Sequence, residues 1–171
     1  VNNYEVIKLT DIFFNYGEER FSKQIARNIC EKRKEKLIET TKELVEIIKS
    51  SVPTKYFIQN HPERRIFQAI RIEVNKELEV LEKVLPDAIK MLKTGGRICV
   101  ITFHSLEDRI VKQIFNKYSE IDPLVKGFKD IPEEYKPLIK LINKKPILPS
   151  NSELEENSRS KSAKLRVIER L

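Results

Sequence analysis

Residues 95–112, GGRICVITFHSLEDRIVK, change the chain's period from helical to extended and back. RICVITF is continuous, apolar and rich in β-branched side chains, which predicts a strand buried on both faces, as in parallel sheets. SLEDRIVKQIFNKYSE restarts helical spacing, with Ser105 at the N-cap and Ile110, Ile114 and Tyr118 on one stripe. Helix, strand, helix is the order of an α/β fold.

Upstream, everything reads as helix. NNYEVIKLTDIFFNYG sets Val6, Leu9, Ile12 and Phe13 at helical spacing and stops at Gly17, expected in the left-handed conformation. EERFSKQIARNICEKRK repeats Phe21, Ile25 and Ile29 every fourth residue, acidic at its start and basic at its end. TTKELVEIIKS opens with Thr40 and Glu43 in capping-box spacing. A longer amphipathic pattern from Arg64 to about Val84 uses Ile66, Ile70, Val74, Leu78 and Leu81, and Pro86 is expected to start or kink a further helix. Downstream, residues 119–137 read as irregular connection. LIKLINKKPIL holds at most a short strand, NSELEENSRSKS is a polar turn region, and AKLRVIERL alternates as an edge strand. A buried parallel strand needs neighbours that this inventory does not supply, so an open sheet edge and self-association are expected.

The chain has 171 residues, a net charge of +7 and a pI near 9.3, which favours a polyanionic partner, nucleic acid first. Cys30 and Cys99 sit far apart in apolar settings and are expected to be buried thiols in a reducing cytoplasm. No apolar run is long enough to span a bilayer. The sole methionine is Met91 and the chain opens on Val1, so it reads as a piece of something longer.

In open α/β sheets ligands bind beyond the carboxyl ends of strands, and FHSLEDR begins at such an end. There His104 could exchange a proton, Ser105 could hydrogen-bond a substrate, and Glu107 or Asp108 could orient either. The competing reading is structural: Ser105 caps the helix, Asp108 completes a capping box and Arg109 pairs with an acid one turn on. The residue types alone favour the structural reading. The four glycines fit neither a dinucleotide fingerprint nor a P-loop, and His61 and His104 lack the spacing of a metal-ligand pair. Candidates for RNA contact fall at Arg64, Arg65, Gln68 and Arg71, and at Arg159, Lys161, Lys164 and Arg166, all basic but Gln68.

Four stretches in order, YGEERFSKQIARNICEKR, HPERRIFQAIRIEVNKELEVLE, LKTGGRICVITFHSLEDRIVK and KPILPSNSELEENSRSKSAKLRV, closely resemble the bacterial ribosomal RNA small subunit methyltransferase H family, also called MraW. The resemblance implies methyl transfer from S-adenosylmethionine to the N4 amino group of a cytosine in the decoding region of 16S ribosomal RNA. It implies an α/β, Rossmann-like (class I) methyltransferase domain interrupted by a helical domain that helps recognise RNA. Residues 1–72 would be that insertion, and 73–171 the C-terminal half of the catalytic domain. The family's N-terminal half, with its glycine-rich GGH cofactor loop, its ribose-holding acid and its DLG-S strand end, has no counterpart here. Catalytic residues and the S-adenosylmethionine site are therefore expected mainly outside this chain, which would be inactive alone. Phe103, His104 and Ser105 would shape the base pocket. A cytosine amino group is a poor nucleophile while its lone pair is delocalised, so an acceptor that favours pyramidalisation, with in-line placement of the methyl group, supplies most of the rate. Two other readings compete: a non-catalytic RNA-binding helical module of a ribosome-associated factor, and a half-domain that only completes another chain's sheet.

Overall fold

The computed structural model describes residues 1–171, which divide into two compact units, Val1–Glu77 and Leu78–Leu171. The expected boundary at residue 72 falls inside a helix, whose last turn stays with the first unit.

The first unit is all helix: α1 (Val6–Asn15), α2 (Ser22–Glu35), α3 (Thr41–Ser50), α4 (Thr54–Asn60) and α5 (Pro62–Asn75). Each long helix turns one apolar stripe inward. Leu9, Ile12 and Phe13 of α1, Ile25, Ala26 and Ile29 of α2, Leu44 and Ile48 of α3, and Ile66 and Ala69 of α5 make a single core. Thr40 caps α3 in the expected box, its hydroxyl accepting the Glu43 N–H while the Glu43 carboxylate accepts the Thr40 N–H. Two local expectations fail for steric reasons. The left-handed residue after α1 is Glu18 (φ 49°), whereas Gly17 is needed because a Cβ there would lie 2.6 Å from the Phe13 carbonyl oxygen and 3.1 Å from that of Arg65. The pattern from Arg64 to Val84 is two helices, because Lys76 turns left-handed (φ 54°) and ends α5.

In the second unit, α6 (Glu77–Met91, its first residue in the first unit) runs through Pro86 without restarting. It carries Leu81, Leu85 and Ile89 on one stripe. After the Gly95-Gly96 turn come β1 (Arg97–Thr102), α7 (Ser105–Ser119), β2 (Ile139–Leu141), α8 (Asn151–Glu156) and β3 (Lys164–Arg170), with 3-10 turns at Pro123–Val125, Glu133–Tyr135 and Ser158–Ser162. The sheet order is β1-β3-β2 and both pairings are antiparallel. β3 is therefore the central strand, although its alternation suggested an edge.

β1 also departs from expectation. It pairs on one side only, and its burial alternates. Ile98 and Val100 pack with Val111 and Phe115 of α7 and with Ile168 of β3, while Cys99 and Ile101 sit exposed on the other face. A continuous apolar run does not distinguish a strand covered on both faces from one covered on a single face. Cys30, by contrast, is buried as expected. Beyond β2 the Ile142 N–H still donates to the Val167 carbonyl at 3.0 Å, and a side chain then takes over: Asn143 accepts the Val167 N–H through Oδ1 (2.7 Å) and donates to the Leu165 carbonyl through Nδ2 (3.2 Å). Backbone pairing resumes where Ile147 bridges Leu165. The result is a mixed α/β chain dominated by helix. No helix is long and apolar enough to cross a membrane.

Candidate functional site

β1 ends where α7 begins, and the junction is closed by a reciprocal cap. His104 is the N-cap, in extended conformation; its Nδ1 accepts the Glu107 N–H at 3.4 Å. The Glu107 carboxylate accepts the N–H of Phe103 at 2.8 Å and of His104 at 3.3 Å. Accepting at Nδ1 requires that nitrogen to be unprotonated, which leaves the proton of the neutral ring on Nε2, 3.3 Å from Glu107 Oε1. The box expected of Ser105 and Asp108 thus belongs to the residues one position earlier. Holding the two N–H groups in place leaves Phe103 displayed, 54% exposed, at the carboxyl end of the strand, with Ser105 exposed beside it.

Asp108 is released from capping for another task. Arg166 on β3 donates to it twice, Nε to Oδ1 at 2.6 Å and an NH2 nitrogen to Oδ2 at 3.2 Å, and Lys164 reaches Oδ2 at 3.4 Å. The hydrogen bonds and charge of Arg166, with help from Lys164, hold Asp108 below the usual carboxylate range against the opposing effect of burial. Arg166, expected to meet RNA phosphate, is only 7% exposed and has two of its five N–H donors on Asp108, so it offers little surface to an outside anion. Lys164 is half-buried and turned to the same carboxylate.

The remaining basic candidates separate by their partners. Arg159 and Lys161, in the 3-10 turn before β3, are exposed. Arg64, in the first turn of α5, is exposed as well; Arg65 lies 3.7 Å from the buried Glu19 carboxylate. Gln68 donates to the Tyr16 carbonyl at 3.4 Å, and Arg71 is exposed but forked onto Glu77 at 2.8 and 3.1 Å. The spacing of Arg64, Gln68 and Arg71 puts them along one face of α5. Two relationships were missed from sequence: the Asp108–Arg166 pair, and the cluster around Glu19, a carboxylate with no exposure at all. The His-x-x-Glu spacing of FHSLED was the available signal for the His104–Glu107 cap, obscured by the stronger N-cap preference of serine.

Gly95 and Gly96 lie at the opposite end of β1, and the backbone N–H groups of Phe103 and His104 are already taken by Glu107. The sequence model of the MraW methylase family matches residues 1–171. The chain belongs to that family. As an MraW methylase it is a methyltransferase.

Proposed function

We propose that this MraW-family chain forms part of an S-adenosylmethionine-dependent ribosomal RNA methyltransferase that methylates the N4 amino group of a cytosine in the decoding region of 16S RNA, in the cytoplasm. In this reading the first unit meets the RNA through Arg64, Gln68 and Arg71, the second through Arg159 and Lys161, and the end of β1 borders the target base. The observation that carries it is the exposed Phe103 ring on a strand-end backbone fixed by Glu107, in a chain matched from end to end by a methylase family. A flat apolar ring displayed from a fixed strand-end backbone is suited to stack a base removed from its helix. His104 is engaged as a cap, so its part is to position Phe103 rather than to take a proton. S-adenosylmethionine supplies the methyl group, and residues other than these hold most of it.

Nucleoside analysis of 16S RNA tests the reading. Disrupting the gene should abolish N4-methylated cytidine at one decoding-region position, and restoring the gene with Phe103→Ala should return it only in part. Persistence of the modified nucleoside after disruption would exclude the assignment.

A second reading, a non-catalytic RNA-binding helical module, draws on the separate hydrophobic core of the first unit. It expects RNA binding without any change in RNA methylation.

A further inference from the structure

Between α1 and α2 the chain reads Glu18, Glu19, Arg20, Phe21, and the two charged residues in the middle are treated oppositely. Glu19 is fully buried, where a carboxylate must be hydrogen-bonded. The Tyr56 hydroxyl lies 2.9 Å from Oε1 and 3.0 Å from Oε2, donating to the carboxylate; the Phe21 N–H donates to Oε1 at 2.9 Å; Arg65 stands 3.7 Å from Oε2. Its charge is thus met by Arg65 and two neutral donors. Arg20 does not share in it.

Arg20 instead lies over aromatic faces. Its guanidinium carbon is 4.7 Å from the centre of the Phe21 ring and 4.4 Å from that of Tyr56, and the two rings meet edge to face at 4.7 Å. The residue is exposed and makes no side-chain hydrogen bond or ion pair. Two ring contacts confine the guanidinium while leaving its N–H donors without a protein partner. That is the state in which an arginine loses least freedom on taking a planar or tetrahedral oxyanion by two parallel hydrogen bonds. Glu19 holds Tyr56 through its hydroxyl, so the buried carboxylate fixes the platform on which Arg20 rests, and Arg65 adds positive charge beside it.

We propose that Arg20, held over the Phe21 and Tyr56 rings, is a preorganised phosphate-binding residue of the helical unit that takes a phosphodiester of the RNA substrate. This rests on the reading of the chain as acting on RNA and adds a residue and a contact to it.

The test is fluorescence anisotropy of a labelled single-stranded RNA oligonucleotide with the full chain across a salt series, for the unsubstituted protein, Arg20→Gln and Arg20→Lys, with inorganic phosphate as competitor. Arg20→Gln should weaken binding about tenfold and lower the slope of log affinity against log salt by about one. Arg20→Lys keeps the charge but not the fork and should recover only part of the loss; it also serves if Arg20→Gln does not fold. Millimolar phosphate should compete more weakly than RNA, since it lacks the neighbouring contacts. If the unsubstituted chain binds RNA and both variants match it in affinity and slope, the Arg20 contact is wrong while the RNA reading stands. If the unsubstituted chain does not bind RNA, both fall.

Discussion

The guanidinium of Arg166 grips both carboxylate oxygens of Asp108, tying the central strand to the first turn of α7 inside the second unit. Removing one partner leaves the other as a buried, uncompensated charge, at a cost of about 3–5 kcal/mol. Asp108→Ala should therefore lower the denaturant midpoint of the second unit sharply, and Arg166→Ala should do the same. Joint replacement should cost less than the sum of the two.

The same pair predicts an acid limb. Asp108 titrates lower when folded than when unfolded, so its stabilisation is complete above the unfolded value of about 4 and disappears as pH falls through the folded value. Denaturation at a series of pH values below about 5 should show a stability loss that is shallower in Asp108→Asn. An identical slope in both proteins would mean that other carboxylates carry the transition.

His104 separates structure from chemistry. Asparagine is a good N-cap and alanine is not, so His104→Asn should keep nearly full stability and His104→Ala should lose about 1 kcal/mol. If His104 acts only through the cap, methylation of the RNA should follow the same order. Equal loss of methylation in both variants, with the Asn variant stable, would assign the imidazole a direct role.

Basic side chains should sort by exposure. Arg64→Gln, Arg159→Gln and Lys161→Gln should each weaken RNA binding modestly and reduce its salt slope without affecting the melting temperature. Arg166→Gln should move the melting temperature instead. A filter-binding salt titration beside a thermal melt distinguishes these outcomes.

Thiol labelling checks the open face of the sheet. Cys99 is exposed on β1 and Cys30 is buried in the helical core, so a maleimide should modify Cys99 in the native chain at least tenfold faster than Cys30. Comparable rates would mean that the outer face of β1 is covered.

The helices of the first unit were legible because each carries one apolar stripe and α3 carries a complete capping box. Lys76 hid the end of α5, since a lysine gives no sequence sign of a left-handed turn. The same limit applies to Glu18, whose neighbour Gly17 drew the assignment although its own constraint is lack of space. In the second unit the strand was legible but its pairing was not: RICVIT reads alike whether one face or both are covered. Among the site residues, the position of Phe103 followed from the strand's end, whereas the fate of Arg166 depended on a partner 58 positions away. Arg20 carried no signal, because its place over the Tyr56 ring is a tertiary contact.

The placement of β3 in the middle of the sheet has a kinetic consequence. During synthesis, residues 97–102 emerge more than sixty positions ahead of the strand they pair with, and residues 139–141 also wait for it. Until the last strand arrives, two apolar segments have no partner, while the first unit, whose last helix ends at Asn75, can already be compact. Assembly of the second unit is thus a late closure of long loops, slow by its contact order and vulnerable to aggregation in the interval.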